Sequence, residues 1–425
     1  MLIQFNFKNF KSFRDETILD LSATKITEHE DRAISIGNEK LLTAAAIFGA
    51  NASGKSNVVE AFRYMTLYVQ ESFAFGGESD DKKSHMKMPG VKPFLFDGES
   101  INKETLFETY FVIPQDDKEK TYNYGFTLNK NGVVEEWLNY KSKTAREYKR
   151  IFFRNEKEID MVGLPKKSQE NIKIALEKET LIVSLGAKLK IAKLKVIRDW
   201  FQNNEAINFG NVFENFFVSN VIPNDFAEKR EVQKKVIEYF ATFDPSIIDF
   251  KVEKLQHSDD EKAENNDLGK VKIDAVHRTI DGKTATIPLE EESSGTLKMF
   301  AIYPVLQETL KKGSLLFIDE LNSRLHPLLV RNFLLTFLNP KTNPNHAQII
   351  FTTHDAWQLS NDLLRRDEIW FTEKNKDGVS TLYSLADFTD EDGNKIRKDE
   401  NYERNYLLGK YGAIPTLKFF DIFKE

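Results

Sequence analysis

The chain has no cysteine in 425 residues. That excludes disulfide scaffolds, thiol nucleophiles and cysteine-ligated zinc or iron–sulfur centres, and argues against a small secreted fold. Long apolar runs are missing too: no stretch approaches the roughly 18 consecutive apolar residues of a membrane span. The opening Met1-Leu2-Ile3-Gln4-Phe5-Asn6-Phe7-Lys8 lacks the charged-then-apolar layout of a signal peptide, so the chain reads as cytoplasmic, with no membrane partner. Neither sign of charge dominates. With 60 basic and 66 acidic residues the formal charge is −6, which speaks against a dedicated nucleic-acid coat or membrane-surface protein. Seven histidines are scattered without metal-ligand spacing. There is no repeat of fixed period and no sustained heptad run, so neither a solenoid nor a long coiled-coil arm is expected.

What is present suffices for two or three packed lobes, with 40% hydrophobic residues. Ile3, Phe5 and Phe7 alternate with polar neighbours, the period of a half-buried strand. Ala44-Ala45-Ala46-Ile47-Phe48 is apolar on both faces, as a central parallel strand should be, and runs through a Gly-rich turn into a helix-like stretch from Ser56 to about Tyr68. Strand signals crowd the region from Phe94 to Arg154, where Asn131-Gly132 marks a hairpin turn. From Gln169 to Ala241 the composition becomes mostly helical, and Ser258 to Lys270 reads as a loop. We therefore divide the chain into an N-terminal lobe (1–155), a mainly helical insertion (156–270) and a C-terminal lobe (271–425).

Gly49-Ala50-Asn51-Ala52-Ser53-Gly54-Lys55-Ser56 matches the phosphate-binding loop G-x-x-x-x-G-K-[ST] in full, between a buried strand and a helix. The backbone N–H groups of such a loop and the helix start cradle phosphate. Gly49, Asn51, Ala52, Ser53, Gly54, Lys55, Ser56 and the adjoining Asn57 are thus candidate ATP-binding residues, with Lys55 reaching the β/γ-phosphates and Ser56 holding Mg2+. Leu315-Leu316-Phe317-Ile318-Asp319-Glu320 reads as a buried strand ending in two carboxylates. Asp319 would orient Mg2+, and Glu320 would polarise the attacking water. Glu291-Glu292-Ser293-Ser294-Gly295-Thr296 puts small hydroxyl and glycine residues at a helix start, where they form either a second anion site or a helix cap. Ile349-Ile350-Phe351-Thr352-Thr353-His354-Asp355 is a further buried strand, ending in a histidine where a γ-phosphate contact is needed.

In that order, the four elements resemble the ABC-type ATPases of the SMC, RecF and OLD group, and Asn9-Phe10-Lys11-Ser12-Phe13 looks like that group's first-strand motif. Three pieces are similar to the narrower RloA/AbiL-type ATPases of phage-defence loci, including the ATPase of the PARIS system. They are Ser293 to Lys298, the stretch Asp319-Glu320-Leu321-Asn322-Ser323-Arg324-Leu325-His326-Pro327, and Tyr406 to Pro415. The resemblance implies an α/β head of mixed and parallel sheets flanked by helices, carrying a mainly helical insertion. It also implies a head-to-tail homodimer with two ATP molecules between the copies. Each nucleotide would be held by one copy's loop and by Ser293, Ser294 and Gly295 of the other, with His354 as the γ-phosphate sensor and Lys55 and Glu320 as its catalytic companions. His326 stands where SMC-type heads carry an aspartate, and Gln70 and Gln115 are the weak candidates for a Q-loop glutamine.

The remaining signals are fainter. Lys188, Lys190, Lys193, Lys195 and Arg198 crowd a stretch whose Leu185, Leu189, Ala192 and Val196 form an apolar seam. It reads as one amphipathic helix with a solvated basic face, or as a groove for nucleic acid or an acidic partner. Asp387, Asp390, Glu391, Asp392 and Asp399 read as a surface loop rather than a nuclease centre. Asn375-Lys376-Asp377-Gly378 lacks the spacing of a guanine-reading motif. The function these features favour is an ATP-driven switch in antiphage defence that holds a separate effector, a nuclease or toxin. The alternative is a RecF-like repair ATPase that clamps DNA.

Overall fold

The computed structural model describes residues 1–37, 39–75, 89–115, 118–211, 222–223, 225–254, 271–390 and 393–415. The apolar runs become a parallel sheet. Its strands lie in the order Glu205–Asn208, Leu315–Asp319, Gln348–Thr352, Ala44–Gly49 and Ile369–Lys374, with Ser380–Ser384 closing one edge antiparallel. Strand side chains alternate between faces, and helices cover both faces, so the central strands are apolar between their ends. Ala45, Ile47, Phe317 and Ile350 face Phe62 and Met65 of the helix Lys55–Glu71. Ala46, Phe48, Ile318 and Phe351 share a core with Ile302 and Leu306 of the helix Ser294–Lys312 and with Val330 and Phe333 of Pro327–Leu338. Burying one such aromatic or branched side chain contributes about 1.5–3 kcal/mol.

A second, antiparallel sheet runs in the order Ile159–Asp160, Lys149–Arg154, Gly132–Ser142, Lys118–Asn129, Thr105–Gln115, Leu2–Lys8, Thr17–Asp20. Its hairpin turns at Lys130-Asn131, with Asn129 opposite Gly132. The Asn-Gly pair thus forms the exit of the turn rather than its centre. Gly132 has φ 127°, and a Cβ there would lie 2.7 Å from Lys178 O. The first strand is more buried than its alternation implied, because it lies between two others and Asn6 is covered along with Phe5 and Phe7. One buried amide ties the two sheets. Gln348 Oε1 accepts the Leu2 N–H at 2.6 Å, and its Nε2 lies 2.9 Å from both Leu2 O and Leu42 O.

Within 156–270 the structure shows helices Lys166–Ala175, Ile182–Lys188, Ala192–Gln202 and Arg230–Phe240. The same stretch also gives the parallel sheet its edge strand Glu205–Asn208. It pairs Ile247–Lys254 with Val271–Arg278, which in turn pairs with Thr284–Pro288. The helical part is therefore threaded into two sheets. The loop expected from Ser258 to Lys270 lies outside the described residues.

The basic stretch is not one helix, contrary to its seam. Lys190 takes φ 60° and separates two short helices, so Leu185 and Leu189 do not share a continuous face with Ala192 and Val196. Four of its five cations make contacts within the chain. Lys188 and Arg198 lie over the Phe73 ring at 4.8 and 5.0 Å, Lys193 donates to Gly163 O at 2.6 Å, and Lys195 pairs with Asp199. Lys188, Lys190, Lys193 and Lys195 are nevertheless exposed, so the structure corrects the single helix and leaves a solvated basic face. In the acidic stretch, Asp399 pairs with Arg397 and Asp390 shapes a turn with Asn394, while Glu391 and Asp392 lie outside the described residues. No helix among the described residues is long and apolar enough to cross a membrane.

Candidate nucleotide site

Parallel strands bring their carboxyl ends to one edge, and there the sheet opens onto a cleft of about 750 Å³. Asn51, Ala52, Gly54, Lys55, Ser56, Asn57, Glu320, His354 and Lys374 line it. The loop that closes it is set by glycine. At Gly49, φ 154°, a Cβ would lie 2.5 Å from Thr372 O and 2.7 Å from Ser53 Oγ; at Gly54, φ 122°, it would lie 2.7 Å from Ser380 Oγ. Hydroxyls brace the loop from behind. Ser53 Oγ lies 2.6 Å from Thr372 Oγ1, Ser380 Oγ donates to Ser53 O at 2.6 Å, and Asn57 Nδ2 donates to Ser12 Oγ at 2.7 Å. The helix Lys55–Glu71 starts without a side-chain cap and without an acid in its first turn. Its first N–H groups and positive dipole end therefore suit an anion.

Lys55 is 4% exposed, and its ammonium donates to Gly49 O and Ala50 O at 2.9 Å each. Burial lowers its pKa to about 8, against the pull of Asp319 and Glu320. Asp319 is also buried. Burial, with a smaller push from Glu320, holds its carboxyl above the usual range, opposed by hydrogen bonds from Thr352 (2.5 Å) and Ser56 and by Lys55. Both shifts come mainly from withdrawal from water, so a phosphate chain carrying a divalent cation would supply the opposite charge to each. The donors fit such a cation. One hydroxyl and one carboxylate in direct contact are what magnesium takes from a protein when substrate phosphates and water complete its octahedron.

Glu320 has φ 56°, a left-handed turn that swings its side chain from the buried strand into the cleft, and its N–H donates to Thr352 Oγ1 at 2.8 Å. Gly210 lies against it, since a Cβ there would come within 2.6 Å of Glu320 Oε2. His354 is exposed at the cleft. Desolvation, then Lys55, lowers its pKa, with Asp319 opposing, so the ring tends to be neutral. Asn322 Oδ1 joins the two strand-end loops by accepting from Thr353 Oγ1 at 2.9 Å.

The family described as AAA domain, putative AbiEii toxin, Type IV TA system matches residues 44–356. The chain belongs to that family. No curated protein matches it. Among solved structures, an SMC head bound to the C-winged helix domain of ScpA is similar, with 17% identity and a TM-score of 0.42, over 90% of this chain and 97% of that one. An AAA-family assignment makes the glycine-lysine loop and its cleft a P-loop of ATPase type.

Of the residues expected at the site, this AAA domain brings the loop, Ser56, Asp319, Glu320 and His354 together. Ser293, Ser294 and Gly295 do not line the cleft. Ser293 Oγ accepts from Thr296 N at 3.1 Å, the cap geometry of the helix Ser294–Lys312, and Ser293 and Ser294 are exposed. His326 likewise caps a helix, accepting from Leu328 N at 3.2 Å. Gln70 donates to Phe201 O at 3.2 Å and does not line the cleft, and the side chain of Gln115 lies outside the described residues. The Tyr406 to Pro415 motif is a prop. Tyr406 packs on Phe48 and Phe371 directly behind the loop strand, and Tyr383 donates to Tyr411 O at 2.7 Å.

Sequence reading gave no role to Thr352, Thr372, Ser380 or Lys374, though Thr352 and Lys374 end a strand of the sheet, Ser380 begins one and Thr372 lies within one. Thr352 could have been found. A parallel register pairing Ile318 with Phe351 makes it the neighbour of Asp319.

Proposed function

We propose that the protein binds Mg2+-ATP in this cleft and hydrolyses it between two head-to-tail copies, as a switch that holds and releases a separate effector in antiphage defence. The observation that carries this reading is the convergence of Lys55, Ser56, Asp319, Glu320 and His354 on one cleft beside an uncapped helix start. Lys55 holds the β/γ-phosphates, and Ser56 and Asp319 hold the cation, which neutralises charge on the phosphate oxygens. The Glu320 carboxylate accepts from the attacking water and aligns it, and His354 contacts the γ-phosphate. Ser293, Ser294 and Gly295 of a second copy close the site from outside, which is consistent with the exposure of the two serines. A nucleotide shared by two copies stabilises the dimer by its own binding free energy, so hydrolysis releases it.

The family description names a putative toxin of a toxin–antitoxin system, which supports a setting with a second protein. The narrower kinship with RloA/AbiL-type ATPases rests on the motifs quoted above. The test is ATP turnover and particle mass for wild type and Glu320→Gln. We expect turnover to fall about 100-fold or more in the variant, and the variant with ATP to run as a dimer that co-purifies with a protein. Unchanged turnover would remove Glu320 from its role. Monomer only would remove the switch, and recovered duplex DNA without a protein partner would favour the repair reading.

A further inference from the structure

The helix Ser294–Lys312 carries a buried cation one turn inside its exposed start. Lys298 is 5% exposed. Its ammonium donates to Ser323 O at 2.6 Å and Leu321 O at 3.1 Å, and it lies 4.0 Å from the centre of the Phe209 ring. Among the described residues it forms no ion pair with a carboxylate. A buried ammonium has three donors to satisfy, and here two carbonyls and a ring face receive it.

All three contacts lie on the walls around Glu320. Leu321 and Ser323 lie one and three residues after Glu320, in a turn with left-handed φ at both Glu320 (56°) and Arg324 (59°). Each such non-glycine residue costs on the order of 1 kcal/mol or more, and persists only when its surroundings fix it. Within the turn, Ser323 N–H donates to Glu320 O and Leu325 N–H to Asn322 O, while Leu321 N–H donates across to Thr352 O. Lys298 supplies the hold on the carbonyl side. Phe209 precedes Gly210, whose Cα hydrogens face the Glu320 carboxylate. One ammonium therefore fixes the turn behind the carboxylate and the segment in front of it.

We infer that Lys298 is a positioning residue for the hydrolytic reaction: it locks the backbone after Glu320 to the Ser293–Gly295 helix, so that the carboxylate's aim depends on where that helix sits. The inference rests on the reading of Glu320 as the water-polarising base. Burial, with Arg324, lowers the Lys298 pKa to about 7 against the pull of Glu320. A neutral amine still keeps two N–H groups for the two carbonyls.

The experiment measures ATP affinity and turnover for wild type, Lys298→Met, Lys298→Arg, Glu320→Gln and the Lys298→Met/Glu320→Gln double variant. Methionine keeps the apolar stem and removes the donors. We expect Lys298→Met to lower kcat about 10- to 100-fold with the ATP Kd within about threefold of wild type, Lys298→Arg to recover part of kcat, and the double variant to turn over like Glu320→Gln alone. Wild-type kcat in Lys298→Met, or a full further loss in the double variant, overturns the inference. Undiminished turnover in Glu320→Gln instead sinks the functional reading on which it rests. Should Lys298→Met not fold, Phe209→Leu removes only the ring beneath the ammonium. We expect it to lower kcat about threefold or more at constant Kd, and unchanged kcat overturns the inference by that route.

Discussion

The two helix starts that the sequence offered as anion sites are built in opposite ways. At the loop helix, Gly54 leaves the first turn without a side-chain cap, and Ser12, Thr372 and Ser380 brace the loop from behind. At the second start, Ser293 occupies its own helix's N–H by capping Thr296, and Ser294 is exposed. The first is organised before any ligand arrives; the second is exposed, as the proposed pairing of two copies would need. That contrast is what a site shared between two copies requires of one chain, because a subunit must present one finished half and one open half.

The largest effect should come from breaking the finished half. Lys55→Met removes the buried ammonium that the loop surrounds, and we expect ATP binding, followed by calorimetry, to weaken about 100-fold or more. Affinity within a few-fold of wild type would mean that the cleft does not hold phosphate through Lys55. The open half is tested next. Ser294→Arg blocks an exposed helix start without disturbing a core. ATP affinity of the single chain should stay within about threefold, while turnover falls about 30-fold. Mixing the two inactive variants sharpens the comparison. In a head-to-tail pair of unlike chains one site has both Lys55 and Ser294 intact, so turnover should return to about a quarter of wild type under random pairing. No recovery would show that the two helix starts do not meet across copies.

How much of this was legible in the sequence follows the same division. The loop, the carboxylate strand and the histidine strand were readable because a phosphate loop and a buried parallel strand are local patterns, written in contiguous residues. The architecture of parallel and antiparallel sheets flanked by helices was reached through the order of those pieces. What was not readable depends on register and on contacts distant in sequence. Ser12 meets Ser380 through 368 positions of chain, and no local pattern marks either as a brace. Lys298 read as one more residue of a motif, because burial is invisible until Phe209 and the 321–323 carbonyls are placed around it. The basic stretch failed for a related reason: its seam kept helical spacing straight through Lys190, where the backbone turns left-handed.

The smallest effect concerns the link between the two halves, and its sign follows from proton counting. The Lys298 pKa is lowered from the usual 10.5 to about 7 in the folded chain, by burial first and Arg324 second, with Glu320 opposing. Below pH 7 both states are protonated, and the full cost of burying the charge is present. Between pH 7 and 10.5 the unfolded chain holds a proton that the folded chain has released, so stability from this group rises with pH. Lys55, lowered to about 8 by burial, acts in the same sense, but it is present in both wild type and Lys298→Met and cancels in their difference. The gap in Tm between the two proteins, measured without nucleotide, should therefore be flat from pH 6 to 7 and then move in favour of wild type by about 1–3 °C up to pH 9.5. A gap that stays level across that range would mean that the Leu321 and Ser323 carbonyls, together with Glu320, keep Lys298 charged in the folded protein. The lock on Glu320 would then be a charged one at every working pH, and pH could not be used to loosen it.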